Sequence, residues 1–144
     1  MKNTPTREQV LDLMNRLSKD TLMETLNIEY TDADPMTGKL VATMPVNSSV
    51  YQPMRILHGG ATVALAESVG SAASQMLIDP DKEMAVGAEI SANHLKSART
   101  GHLIATAECI HRGRSSHLFH IRVENEQGDL ISMVKLMNFV KQRK

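Results

Sequence analysis

Between Ile56 and Ile78 the chain carries one formal charge, Glu67, halfway along a run whose neighbours are alanine, leucine and valine. Burying an unpaired carboxylate is costly, so such a group must be protonated, paired or turned toward a cavity. Glu67, Ser71 and Gln75 recur at i, i+4 and i+8, a spacing that would equally suit a solvated stripe on a helix. A solvated face normally carries lysine or arginine, and this run has neither. Glu67 therefore reads as a working carboxylate, with Ser71 one turn away to hold it or a water that it activates.

His58-Gly59-Gly60 opens the same run. A helix start presents unpaired N–H groups at the positive end of the dipole, and a residue without Cβ lets another group come close to one of them. Such a donor stabilises an oxyanion forming on a carbonyl, although a glycine pair also serves a tight turn into a helix. Glu67 follows Gly59 by eight residues, roughly 12 Å of helix axis. One carboxylate side chain cannot span that gap. If both groups serve one site they come from different copies, so the spacing predicts a homodimer with shared sites.

Other chemistries lack their residues. His117 and His120 would face opposite sides of a strand, His102 adjoins a turn, and no acidic or cysteine partners complete a metal site. Cys109 is alone, which excludes an internal disulfide and fits a reduced, cytoplasmic compartment. There is no Gly-x-Ser-x-Gly elbow and no phosphate loop. Lys and Arg total 16, as do Asp and Glu, and the aromatics are only Tyr30, Tyr51, Phe119 and Phe139, so neither a basic nucleic-acid surface nor a base-stacking platform is present. The ten methionines read first as flexible core filler.

The elements that must position these groups follow from periodicity. Thr6 and Gln9 form a capping box, and Val10, Met14, Leu17 and Thr21 predict an amphipathic helix over 6–24. Leu26, Ile28 and Tyr30 alternate with polar residues, as do Leu40, Ala42, Met44 and Val46; Asp32 to Gly38 supplies the turn of a hairpin. A loop over 47–57 leads to a helix from Gly59 to about Leu77, apolar nearly all round and so wrapped by other structure. Its mid-span carboxylate argues against a membrane span, and charges break the N-terminal apolar pattern, against a signal peptide. Strands follow around 84–92, 103–109, 119–123 and 129–140. The 144 residues make one antiparallel α+β domain.

Gln52-Pro53, then Leu57-His58-Gly59-Gly60-Ala61-Thr62-Val63-Ala64-Leu65-Ala66-Glu67-Ser68, closely resembles the hotdog-fold acyl-CoA thioesterases of the phenylacetate-degradation and 1,4-dihydroxy-2-naphthoyl-CoA subgroup. Gly87-Ala88-Glu89-Ile90-Ser91-Ala92-Asn93-His94 extends the likeness, which runs from about 22 to 140. The resemblance implies a long central helix wrapped by an antiparallel sheet of five or six strands, with 25–144 as the hotdog core and 1–24 as an extra N-terminal helix. It also implies a dimer of dimers, sites built across an interface, an acyl-CoA substrate and no cofactor.

Carried over by position, the resemblance makes Glu67 the catalytic carboxylate, as nucleophile or general base. Gly59 gives its N–H to the thioester oxygen, Gln52 and His58 orient the thioester, and Ser71 holds the hydrolytic water. Gly87 and His94 match substrate contacts. Leu95, Lys96 and Ser97, with His111-Arg112-Gly113-Arg114-Ser115-Ser116, fall where the family binds CoA; the order Arg114-Ser115 departs from relatives that have serine first. A thioester has little resonance stabilisation, so one oxyanion donor and one carboxylate suffice to hydrolyse it. The resemblance points to an aromatic or hydroxyaromatic acyl group, with menaquinone synthesis as a pathway. A hydratase or dehydratase on the same fold would need different motif spacings, and a non-catalytic acyl-CoA-binding domain would normally lack the carboxylate.

Overall fold

The computed structural model describes residues 3–144. Helix α1 (Arg7–Leu17) starts where the capping box requires: Thr6 Oγ1 accepts from Gln9 N at 3.2 Å and Gln9 Oε1 accepts from Thr6 N at 2.9 Å. The single helix expected over 6–24 is two. Ser18 ends α1, its hydroxyl donating to Met14 O, and Asp20 turns left-handed at φ 59°. Thr21 then caps the short α2 (Leu22–Thr25) by accepting from Met23 N. Serine and threonine side chains here compete for backbone groups that an unbroken helix would keep to itself.

Strand β1 (Glu29–Asp34) begins later than the alternation from Leu26 implied, because Leu26 caps α2 and Asn27 is left-handed at φ 53°. It also runs through Asp32 to Asp34, residues expected in the turn. The turn tightens to 35–38, where the Asp34 carboxylate accepts from Met36 N and Thr37 Oγ1 and Gly38 takes φ 78°. Strand β2 (Lys39–Pro45) completes the hairpin. The stretch expected as plain loop contains a 3-10 turn, Ser48–Val50, and a Tyr51–Leu57 bridge.

Helix α3 (Gly59–Gln75) lies across a six-stranded antiparallel sheet completed by β3 (Glu83–His94), β4 (His102–Arg112), β5 (Ser116–Asn125) and β6 (Leu130–Gln142). The strand order is β1-β2-β4-β5-β6-β3. Leu65, Ala66, Val69 and Ala73 on α3 are wholly buried, as are Leu103, Ala105, Phe119, Ile121 and Leu136 on the sheet. That shared burial is the main driving force for docking helix on sheet, at roughly 1.5–3 kcal/mol per large side chain. The chain wraps α3 on one side only: Ala61, Val63, Ala64, Glu67, Ser68 and Ser71 stay half-buried. Among the described residues no helix is long and apolar enough to cross a membrane.

The two sheet edges are treated differently. At β1, the Asn15 side chain donates to Tyr30 O at 2.9 Å and accepts from Tyr30 N at 2.8 Å, and Arg7 bonds Asp32 and Thr31 O. Such a covered edge cannot template another strand. At β3, 12 residues end the sheet with no strand on the outer side among the described residues, interrupted by a bulge at Gly87/Glu89. Asn15→Ala is expected to cost about 1–3 kcal/mol by leaving both Tyr30 backbone groups without their partner, readable as a lower urea midpoint.

Candidate active site

The loop entering α3 is held by backbone bonds from Gln52 N to Ile56 O, His58 N to Val50 O and Leu57 N to Ala98 O. Leu95 N and Lys96 N both bond Ile131 O, fixing the segment after β3. Between these pieces lies a cleft of about 300 Å³. Six of the residues expected in the site line it: Gln52, Gly59, His94, Leu95, Lys96 and Ser97, with Thr62, Ile131 and Ser132 beside them.

His58 is the N-cap of α3, and its Nδ1 accepts from Gly60 N at 2.8 Å. Its carbonyl accepts from Ala61 N and Thr62 N. Those bonds occupy the donors of the first turn apart from Gly59 N–H, which has no acceptor among the described residues and belongs to the residue lining the cleft. An Nδ1 that accepts leaves the neutral ring's hydrogen on Nε2, so His58 retains one donor. The bare Cα of Gly59 faces the His94 ring: a Cβ would sit 2.8 Å from His94 Nε2. His94 is oriented by Ser132, whose Oγ lies 2.7 Å from Nδ1 and which is itself fully buried. Sequence reasoning missed Ser132; a serine among the apolar residues of the last strand was the available signal.

Glu67 does not reach this cleft. Its carboxylate lies over Gly87 on β3, where a Cβ would sit 2.6 Å from Glu67 Oε1. Neither Glu67 nor Ser71 makes a side-chain hydrogen bond among the described residues, so the Glu67–Ser71 pairing that the spacing allowed is not formed. Gly87 is the floor beneath the carboxylate. Gly87→Ala is expected to push the flexible end of Glu67 aside and lower kcat by about tenfold to a hundredfold, with little change in melting temperature. An unchanged kcat would mean that the carboxylate position does not matter.

The second expected CoA segment lies elsewhere. His111 to Ser116 forms the β4–β5 turn, closed by Gly113 N to Ser116 O at 2.8 Å, at the Glu83 end of β3 and remote from His94. Arg112 donates to Leu77 O, just past α3, at 2.5 Å, and Arg112, Arg114 and Ser115 are all exposed. Lys96 pairs with Asp129 at 2.7 Å, both partly exposed. One chain thus splits the expected residues into three groups: cleft, carboxylate and distal turn.

His117 is buried, 2.6 Å from Ser74 Oγ through Nδ1, and burial pushes its pKa down; His120 is exposed, so the two face opposite sides as the strand period required. A larger groove of about 940 Å³ lies between α1 and the end of α3, with Met14, Met23 and Met76 in its lining. It holds none of the expected catalytic groups.

Residues 54–132 match the Thioesterase superfamily. The chain is 42% identical over 122 residues to the proofreading thioesterase EntH of Cronobacter turicensis, covering 85% of this chain and 87% of that one. It is 35% identical over 130 residues to the 1,4-dihydroxy-2-naphthoyl-CoA hydrolase of Escherichia coli, covering 90% and 93%. The crystal structure of a mutant of thioesterase PA1618 from Pseudomonas aeruginosa superposes with TM-score 0.91 at 36% identity, covering 99% of this chain and 98% of that one. The six-stranded antiparallel sheet around α3 is therefore a hotdog fold, and the chain belongs to the thioesterase superfamily as a thioester hydrolase.

Proposed function

We propose that this protein hydrolyses an aromatic or hydroxyaromatic acyl-CoA to the free acid and CoA, in sites shared between two copies of the chain. The observation that carries the reading is the unclaimed Gly59 N–H at the cleft, set apart from the one carboxylate on the same helix. Gly59 would hold the thioester oxygen, with His58 Nε2 and Gln52 orienting the carbonyl, and Glu67 of the partner subunit would supply the base. The substrate class rests on the likeness to the naphthoyl-CoA hydrolase.

The open β3 edge and the half-buried flank of α3 support the pairing. Antiparallel pairing of two β3 strands about an axis near Ile90 and Ser91 would set Gly87 of the partner subunit, and the carboxylate above it, beside His94 of this chain. The same operation carries the partner's distal turn toward Lys96, joining two basic segments that one chain keeps apart; Arg114 and Lys96 then suit the CoA phosphates. Two such dimers would make the tetramer, and the cytoplasm suits this substrate.

Complementation tests it. Glu67→Ala chains mixed with Gly59→Pro chains are each expected to be inactive alone. Random reassociation should recover about a quarter of wild-type thiol release, since half the dimers hold one intact site of two. Recovery of nothing, from chains shown by mass to have mixed, would overturn the shared site. Benzoyl-, naphthoyl- and straight-chain CoA esters, compared by kcat/KM, test the acyl preference; a preference for straight chains would overturn it.

A further inference from the structure

We propose that Ser132 fixes the ring tautomer of His94, so that His94 Nε2–H joins Gly59 N–H as a second donor to the thioester oxygen. The inference rests on the reading that Gly59 receives that oxygen. His94 ends β3 and stands directly opposite Ser132 on β6. Cross-strand partners share a face of the sheet, and here Ser132 Oγ comes within 2.7 Å of His94 Nδ1. Gly59, His94 and Ser132 all line the cleft.

The hydrogen between Oγ and Nδ1 belongs to one atom or the other, and the surroundings decide which. Ser132 is fully buried, so water does not reach its hydroxyl, and His94 is its one side-chain hydrogen-bond partner among the described residues. If Nδ1 carried the hydrogen, the hydroxyl would accept it and its own O–H would be buried without an acceptor, which folded chains seldom tolerate. If the hydroxyl donates instead, one bond satisfies both groups. The neutral ring then carries its hydrogen on Nε2. His58 reaches the same state by another route, its Nδ1 accepting from Gly60 N.

Nε2 is the end of the ring that matters. It makes no hydrogen bond among the described residues, and a Cβ built on Gly59 would lie 2.8 Å from it. The donor nitrogen thus stands against the α-carbon of the residue whose own N–H is open. Leu95 N and Lys96 N, both bonded to Ile131 O, hold the chain just past His94 and keep the ring in place. As the carbonyl carbon is attacked, the oxygen gaining charge draws on both donors, and no bond to the imidazole forms or breaks. The opposite tautomer would present a lone pair there and repel the same oxygen. His94 is then a catalytic residue and Ser132 a positioning residue.

Long-range proton–nitrogen correlation on enzyme carrying labelled histidine reads the tautomer directly, with His94→Ala assigning the signal. The wild type should show hydrogen on Nε2 and none on Nδ1, and Ser132→Ala should show a mixture of the two neutral forms. His94→Ala should lower kcat for an aryl-CoA about a hundredfold and Ser132→Ala about tenfold, with KM nearly unchanged in both. In the His94→Ala background, removing the Ser132 hydroxyl should cost almost nothing more, because it acts through the ring. Hydrogen on Nδ1 in the wild type, a wild-type tautomer in Ser132→Ala, or an undiminished Ser132 effect without the ring would overturn the proposal. Should Ser132→Ala not fold, the wild-type tautomer and the His94→Ala rates decide. Failure of the underlying reading looks different, since Gly59→Pro and Gly59→Ala would then share one kcat. A proline loss beyond alanine, beside a His94→Ala enzyme of wild-type kcat, overturns the second donor alone.

Discussion

Replacing Glu67 by alanine is expected to remove most turnover, on the order of a thousandfold in kcat, while the fold and the oligomer persist. The persistence follows from the surroundings. Glu67 is half-buried, makes no side-chain hydrogen bond among the described residues, and stands on a flank with Val63, Ala64, Ser68 and Ser71. Removing a carboxylate that pairs with nothing breaks no bond, and a smaller side chain suits alanine-rich company. Glu67→Gln sharpens the point, since it keeps size and polarity but cannot take a proton. The two variants should lose similar activity by thiol release, and melting temperature and size should match the wild type. If both variants unfold, the carboxylate is holding structure; if glutamine retains activity, proton transfer does not run through this side chain.

What made Glu67 legible was an imbalance within one helix: a charge that cannot be buried for nothing, in a segment too apolar to be a surface. The capping box at Thr6 and the extent of α3 were legible for a similar reason, because each depends on residues within one or two turns. Reading failed where the outcome depended on groups distant in sequence. Nothing near Asn15 says that its amide will close the edge of β1 at Tyr30, fifteen residues on. Ser132 and Asn138 lie in the last strand, and their partners, His94 and Gly70, lie on other elements.

The broken helix over 6–24 is a different failure. Ser18 and Thr21 satisfy backbone groups locally, a competition that apolar periodicity does not register. The His111–Ser116 segment shows a third kind. Its composition fits phosphate binding, yet only topology decides which end of the sheet it occupies, and in one chain that is the end away from the cleft. If Gly59 and Glu67 serve one site, their spacing calls for a second copy, and under that proposal the split of the expected residues into three groups has the same origin, because a site finished by a partner leaves its parts scattered over each chain.

The proposed oxyanion donor can be deleted without deleting a side chain, and Gly59→Pro is expected to do so. Gly59 is the first residue of α3, the helical position where proline is best tolerated, since no intrahelical bond uses that N–H. His58 before it is already extended at φ −72° and ψ 127°, the conformation a following proline demands. The helix should survive while its one open donor disappears. Proline also adds a Cβ, which would crowd His94 Nε2 at 2.8 Å, so Gly59→Ala is the necessary comparison: it brings the same crowding and keeps the N–H. The difference between the two variants measures the donor together with the ring carbon that takes its hydrogen's place, and kcat for proline should fall a further factor of about 10²–10³ below alanine. KM should move much less, because the bond strengthens as charge builds on the oxygen and contributes little to the bound ground state. Equal kcat values would assign the whole loss to the displaced imidazole and leave the thioester oxygen to be held by His58 and Gln52.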